Sequence, residues 1–310
     1  MFISVVIPTY NRLPILKKCL SALERQNLIN QIEGYEILVI DDGSTDGTIS
    51  WINKNHLKFP HVCLFEQSHG GPALARNFGI KKSQGDLIVF IDSDLVVTKN
   101  FLSAHAKALT MAWARRGNRN CFTYGQVINT TDFDSPTLEP FKLQDNSWAY
   151  FATGNVAIDK VLLEKSGLFD PSFQLYGWED LELGERLRSM GVELIKCPKA
   201  VGYHWHPALS IDQIPHLVRI EQERAKMGLI FYRKHPTLRV RFIIQYTILH
   251  RLLWETLTLF GLINHKNIQP LLAFLLKMGY PSLAMEILRI PLNLIGVRSI
   301  YREIALSRSN

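Results

Sequence analysis

Asp86-Leu-Ile-Val-Phe-Ile-Asp-Ser-Asp94 is the stretch on which the fold reading turns. Its middle is a short, unbroken apolar run, the pattern of a strand buried on both faces, as in a parallel sheet. It stops abruptly at Asp92-Ser93-Asp94. On an extended strand, side chains two apart share a face, so both carboxylates can aim at one ion. Oxygen donors of this kind suit Mg²⁺ or Mn²⁺, which keep open positions for substrate phosphates. An isolated Asp-x-Asp is nevertheless a weak motif, and alone it reads as a solvated turn.

The surrounding sequence repeats the same grammar. Phe2-Ile-Ser-Val-Val-Ile7 ends at Pro8, and Asn11 is the expected cap of a helix beginning near Leu13-Pro14, with Leu13, Leu16, Leu20 and Leu23 on one face. Glu36-Ile-Leu-Val-Ile40 stops at Asp41-Asp42-Gly43-Ser44, and His61-Val-Cys-Leu-Phe65 is a third strand. Gly70-Gly71-Pro72 opens a helix that carries Arg76 and Asn77. Alternating strands and helices over the first ~130 residues predict βα units around a mostly parallel sheet. In such sheets ligands bind beyond the carboxyl ends of the strands, and three of those ends here carry polar or acidic residues.

Of 310 residues, 47% are hydrophobic and 20% charged, enough apolar material for a large core. Four scattered cysteines, Cys19, Cys63, Cys121 and Cys197, read as separate thiols in a reducing cytosol rather than disulfides or a zinc site. No basic segment or cleavage site precedes Phe2, so no signal peptide is expected. The net charge of +7 is unevenly placed: residues 233–310 carry a balance of +8 and the rest −1. A boundary is expected after Lys234-His235, giving domains 1–235 and 236–310.

Taken in order, Val5-Val-Ile-Pro-Thr-Tyr-Asn11, Leu38-Val-Ile-Asp-Asp-Gly-Ser44, Gly71-Pro-Ala-Leu-Ala-Arg-Asn77 and Ile91-Asp-Ser-Asp94 resemble family 2 glycosyltransferases, inverting enzymes of the GT-A fold. The resemblance implies a Rossmann-like, mostly parallel α/β sheet flanked by helices, here with a C-terminal helical extension. It also implies that Pro8, Thr9, Tyr10 and Asn11 line the nucleotide pocket and that Asp41 bonds the base, usually uracil. Asp42, Arg76, Asp92 and Ser93 would lie near the nucleotide and its phosphates, with Asp92 and Asp94 at the metal, Mn²⁺ or Mg²⁺. Physical chemistry agrees: Tyr10 can stack on a base, a carboxylate accepts an imide N–H, and a guanidinium suits phosphate.

Tyr176-Gly-Trp-Glu-Asp180 is similar to the Gly-Trp-Glu-Asp segment of galactosyl- and N-acetylgalactosaminyltransferases, where the acidic pair meets the acceptor. Asp180 is the expected base and Glu179 a binder of hydroxyls, with the reverse assignment open. Gly177 and Trp178 would flank the sugars. Thr153-Gly154-Asn155 resembles the loop beside the donor sugar. In Tyr203-His-Trp-His-Pro207, His204 is the expected third metal ligand, with His206 as an additional candidate. The Gln-x-x-Arg-Trp motif of processive synthases is absent, which points to single transfers.

The basic tail contains no apolar run long enough to span a bilayer. It is expected to form helices that pack as a subdomain or homodimer interface, or that lie on an anionic membrane surface, and not to bind nucleic acid. The expected function is transfer of one sugar from a nucleotide-sugar, UDP-linked, to a glycan or lipid-linked acceptor in surface polysaccharide assembly. The expected location is the cytoplasm or, peripherally, the inner face of the cell membrane. The rival readings are a sugar-1-phosphate nucleotidyltransferase, which should carry a Gly-rich basic loop after its first strand, and a non-catalytic nucleotide-sugar-binding protein.

Overall fold

The computed structural model of the chain describes residues 1–139 and 149–309. It divides into two compact units: Met1–Gln174 with Glu179–His206, and Leu175–Trp178 with Pro207–Asn310.

The first unit is built on the apolar runs. β1 (Phe2–Thr9), β2 (Gly34–Asp41), β3 (Val62–Glu66) and β4 (Leu87–Ile91) pair in parallel, in the order β3-β2-β1-β4. Every residue of β4 is buried, as its unbroken apolar sequence requires. The connecting helices are α1 (Leu13–Leu23), α2 (Thr48–Asn55) and α3 (Pro72–Lys82). Gly79 lets α3 lie directly on the sheet, since a Cβ there would meet Val6 Cγ1 at 2.5 Å. The expected alternation is therefore present as far as β4.

Beyond β4 the sheet becomes mixed. β5 (Leu95–Val97), α4 (Phe101–Arg116), β6 (Cys121–Thr130), β7 (Asn155–Asp159), α5 (Lys160–Lys165), α6 (Glu179–Ser189) and β8 (Glu193–Trp205) follow. The full eight-stranded order is β3-β2-β1-β4-β7-β6-β8-β5. β7 is antiparallel to both β4 and β6, and β5 is antiparallel to β8, whereas β6 and β8 are parallel. Its main apolar core includes Ile3, Leu16, Leu20, Val39, Val89 and Phe101. Cys19, Cys121 and Cys197 are buried as free thiols and Cys63 is exposed.

The second unit holds α7 (Ile214–Lys234), α8 (Leu238–Ile243), α9 (Ile248–Leu257), α10 (Gln269–Lys277) and α11 (Pro281–Ser309). Thr237 and Thr247 cap α8 and α9 with their hydroxyls. Leu209, Ile214, Leu272, Leu288 and Leu292 form its core. The division falls at Pro207, earlier than the boundary expected at 235, because α7 packs against α11 rather than joining the sheet. No helix among the described residues is long and apolar enough to cross a membrane.

Asn11 does not cap α1. It has φ of 52°, and its Oδ1 accepts from the Thr45 N–H. Asp46 serves the helix instead: it accepts from Leu13 N–H at 2.8 Å, and from the Thr48 N–H and hydroxyl at the start of α2. Burial alone would raise the Asp46 carboxyl, but the bonds from Thr48 and Leu13 outweigh it and hold the pKa below the ordinary value. A depressed carboxyl contributes stability above its unfolded pKa and loses it as pH falls through the folded one. Asp46→Ala should therefore cost about 1 kcal/mol in urea denaturation at neutral pH, with the gap from wild type closing below about pH 4.

Candidate active site

The parallel register places strand ends side by side. Thr9 of β1 pairs with Asp41 of β2. Asp41 is fully buried, and its Oδ1 accepts from the Gly43 and Ser44 N–H groups. Its Oδ2 and the Thr9 hydroxyl are buried with no hydrogen-bond partner. Buried acceptors are rarely left unpaired, so this corner retains hydrogen-bonding capacity that the chain itself does not use. Next to it, Tyr10 stacks on His69 with ring centroids 4.3 Å apart, and both rings are accessible. Pro8, opposite Ile40, completes the β1 end.

Asp92-Ser93-Asp94 is not an extended strand end. β4 stops at Ile91, and the Leu95 N–H donates to the Asp92 carbonyl, closing a tight turn into β5. The antiparallel pairing of β5 with β8 sets Leu95 opposite His204, and the Trp205 N–H donates to the Asp94 carbonyl. His204 Nε2 lies 2.9 Å from Asp94 Oδ1, and ligand atoms of Asp92, Asp94 and His204 all fall within 4.8 Å of one another. Burial would lower the His204 pKa, but its bond to Asp94 and the charges of Asp94 and Asp92 prevail and raise it. Asp94 responds in the opposite direction: burial would raise it, while His204 and Arg12 lower it.

Arg76 joins this cluster to the second acidic pair. It is only 5% exposed; its Nη2 donates to Asp92 Oδ1 at 3.2 Å and its Nη1 to Glu179 Oε1 at 2.8 Å. Glu179 Oε2 is buried and unpaired. Asp180 follows at the start of α6, where burial first, then the charge of Glu179, pushes its pKa up to about 7. Arg76 and the Leu181 N–H pull it back only in part.

The model of the family described as Glycosyl transferase family 2 matches residues 4–165, more than half of the chain. The chain belongs to glycosyl transferase family 2. It is 25% identical to YfnE, an uncharacterised glycosyltransferase of Bacillus subtilis, over 68% of this chain and 67% of that one. It is 27% identical to the validoxylamine A glucosyltransferase of Streptomyces hygroscopicus, over 76% of this chain but 61% of the relative. The fold matches the mannosyltransferase PcManGT of Pyrobaculum calidifontis, solved with GDP-Man and Mn²⁺, at a TM-score of 0.62 and 19% identity, covering 96% of this chain and 85% of that one. The chain is a glycosyltransferase of GT-A fold.

Within this family 2 site, several expected residues have bonds that end on the chain itself. Asp42 is a clamp: it accepts from Gln67 Nε2 and from the Gly70 and Gly71 N–H groups, tying the loop before α3, and its Oδ2 lies 2.9 Å from His69 Nδ1. Asn155 is fully buried, bonded to His105 and to the Gln126 and Ala200 carbonyls, so it offers nothing to a sugar hydroxyl. Gly154 does sit at the site, since a Cβ there would meet Asp92 Oδ2 at 3.2 Å. Ser93 is buried in the turn. The His206 ring lies 4.0 Å from that of His204 but outside the three-ligand cluster; burial and the His204 charge lower its pKa to about 4.

Gly177 and Trp178 belong to the second unit. There the Trp178 indole N–H donates to the Arg224 carbonyl, and the Arg224 guanidinium covers its ring. Two residues of the site escaped the motif reading. Arg12 stands 3.8 Å from Asp94, and His69 carries the Tyr10 stack. Each is an isolated polar residue in a loop, visible only once strands align.

Asn155→Ala removes three buried bonds and should cost roughly 2–4 kcal/mol in chemical denaturation. The nucleotide-sugar KM of the folded fraction should remain within about twofold of wild type. A large KM change at unchanged stability would return Asn155 to the sugar site.

Proposed function

We propose that this glycosyltransferase moves one sugar, with inversion, from a UDP-sugar to a hydroxyl of a glycan or lipid-linked saccharide in surface polysaccharide assembly. The observation that carries the reading is the chain Asp92–Arg76–Glu179, centred on the buried Arg76, which couples a metal-type carboxylate cluster to an acidic pair containing a carboxyl of elevated pKa. Two carboxylate groups joined through one guanidinium, one suited to a donor diphosphate and one to proton removal, match inverting transfer. The unpaired Asp41 Oδ2 and Thr9 hydroxyl, beside the accessible Tyr10 ring, suit a base presenting an N–H and a face for stacking.

Two carboxylates and an imidazole within one small volume fit Mn²⁺, and less well the all-oxygen preference of Mg²⁺. Asp92, Asp94 and His204 would hold the ion. When bound, it supplies Lewis-acid stabilisation of charge on the departing diphosphate. Arg12, beside Asp94, offers a further cation to the phosphates.

On the acceptor side, Asp180 takes the proton of the attacking hydroxyl. With a pKa near about 7 it has the driving force to do so near neutrality. Glu179, fixed by Arg76 through one oxygen, turns its unpaired Oε2 to an incoming hydroxyl. Turnover should therefore rise with pH along an acid limb centred at about 7, as Asp180 ionises.

The same shift costs stability. Asp180 holds its proton in the folded chain between the ordinary aspartate value of 3.8 and about 7, so stability falls as pH rises through that window. Asp180→Asn should keep UDP binding, reduce transfer roughly 10²–10⁴-fold, and raise the melting temperature above pH 7. Near-normal turnover would move the base to Glu179. Asp94→Ala should lower Mn²⁺-dependent UDP affinity roughly 100-fold in calorimetry, and unchanged affinity would remove Asp94 from the metal site. A matched panel of UDP- and GDP-sugars, scored by hydrolysis, tests the choice of base.

A further inference from the structure

Helix α9 is built the wrong way round for a water-facing helix. Ile248, Leu249, Leu252, Leu253 and Leu257 are all exposed, 43–70% of each, and none of its residues is buried. At helical spacing these five cover one continuous face. The opposite face makes the internal contacts, and they are polar. Glu255 pairs with Arg298 of α11 at 2.5 Å, Arg251 lies over the Tyr301 ring, and the Trp254 indole N–H donates to Gln245. A surface helix in water buries its apolar stripe and exposes its charges. This one does the reverse.

The apolar surface continues past the helix. Leu259 and Phe260 hold φ of 49° and 58°, a backbone region that bulky residues rarely adopt, and the Phe260 carbonyl is fixed by Arg298. The strained turn presents Phe260 and Leu262, each 72% exposed. In α10 only Leu272 is buried, and Phe274 faces outward. A run of exposed apolar side chains on this scale marks an interaction surface.

Charge identifies the partner. Between residues 238 and 280 there are five Lys or Arg and one acid, Glu255, whose charge Arg298 already neutralises. A two-fold interface with a second copy would set this patch against itself, bringing like charges together. An anionic lipid surface supplies both an apolar interior for the leucines and phenylalanines and negative headgroups for Lys266 and Lys277. No described helix can cross a bilayer, so the contact is interfacial.

We infer that α9, the 259–262 turn and α10 form an interfacial docking surface for an anionic lipid bilayer, with the leucine face of α9 inserted among the headgroups. This site is independent of the sugar chemistry, and its test has its own readout.

The test is flotation of the full chain with vesicles of equal parts phosphatidylcholine and phosphatidylglycerol, compared with pure phosphatidylcholine. The chain should float with the anionic vesicles and largely release at high salt. Leu249→Glu with Leu252→Glu should lower partitioning tenfold or more while UDP binding stays unchanged, which shows that the variant is folded. Lys266→Glu with Lys277→Glu should lower it roughly tenfold as well. A wild-type chain that does not float, or flotation that survives both double variants, overturns the proposal. So does a dimer that fails to float and that Leu249→Glu with Leu252→Glu dissociates, because that assigns the face to a second copy.

Discussion

Arg76 is the group on which the site depends. A guanidinium this deeply buried is tolerable only when its charge is matched, and here Asp92 and Glu179 match it from two sides. The dependence is mutual. Asp92 and Glu179 both bond to Arg76, and Asp180 lies beside them, so the guanidinium offsets the repulsion among three acids. The elevated Asp180 pKa registers the balance: burial and two acids push it up, and Arg76 restrains it. One buried cation thus links the Asp92 side of the site to the Glu179-Asp180 pair, where Asp180 has the raised pKa.

That arrangement draws on both halves of the sheet. The parallel strands β1 and β2 align Thr9 with Asp41, and β4 delivers Asp92 at its end. The antiparallel strands add what parallel ones cannot. β7 brings Gly154 against Asp92, where any Cβ would crowd the carboxylate. The β5–β8 pair carries His204 back to Asp94 from more than a hundred residues away in sequence. Asn155 and His105, satisfied by buried bonds and with His105 held neutral by burial at a pKa of about 4, lock the layer beneath.

The second unit obeys a different rule. Its core is an ordinary helical packing of α7 against α11, yet α9 packs through an ion pair and a cation–ring contact and turns its leucines outward. Such a face is stable where the surroundings are apolar, and the surplus of Lys and Arg around it selects for negative charge.

Much of this was legible in the sequence. Buried strands announce themselves as β-branched runs, and their polar stops mark ligand-facing ends; hence β1, β2, β4, α3, Asp41, Asp92, Asp94, Glu179 and Asp180 could be named from local pattern and family motif. The α7 boundary, the Asp46 cap and the structural duties of Asp42 and Asn155 could not. A polar residue near a motif looks the same whether its bonds end on a ligand or on the chain. Only the folded chain decides, because strand register and long-range pairing determine which hydrogen-bonding groups are already satisfied. Asp41 Oδ2 and Glu179 Oε2 remain open while Asn155 is closed. The outward turn of α9 is of the same kind: its periodicity shows an apolar face, and only packing against α11 reveals which way that face points.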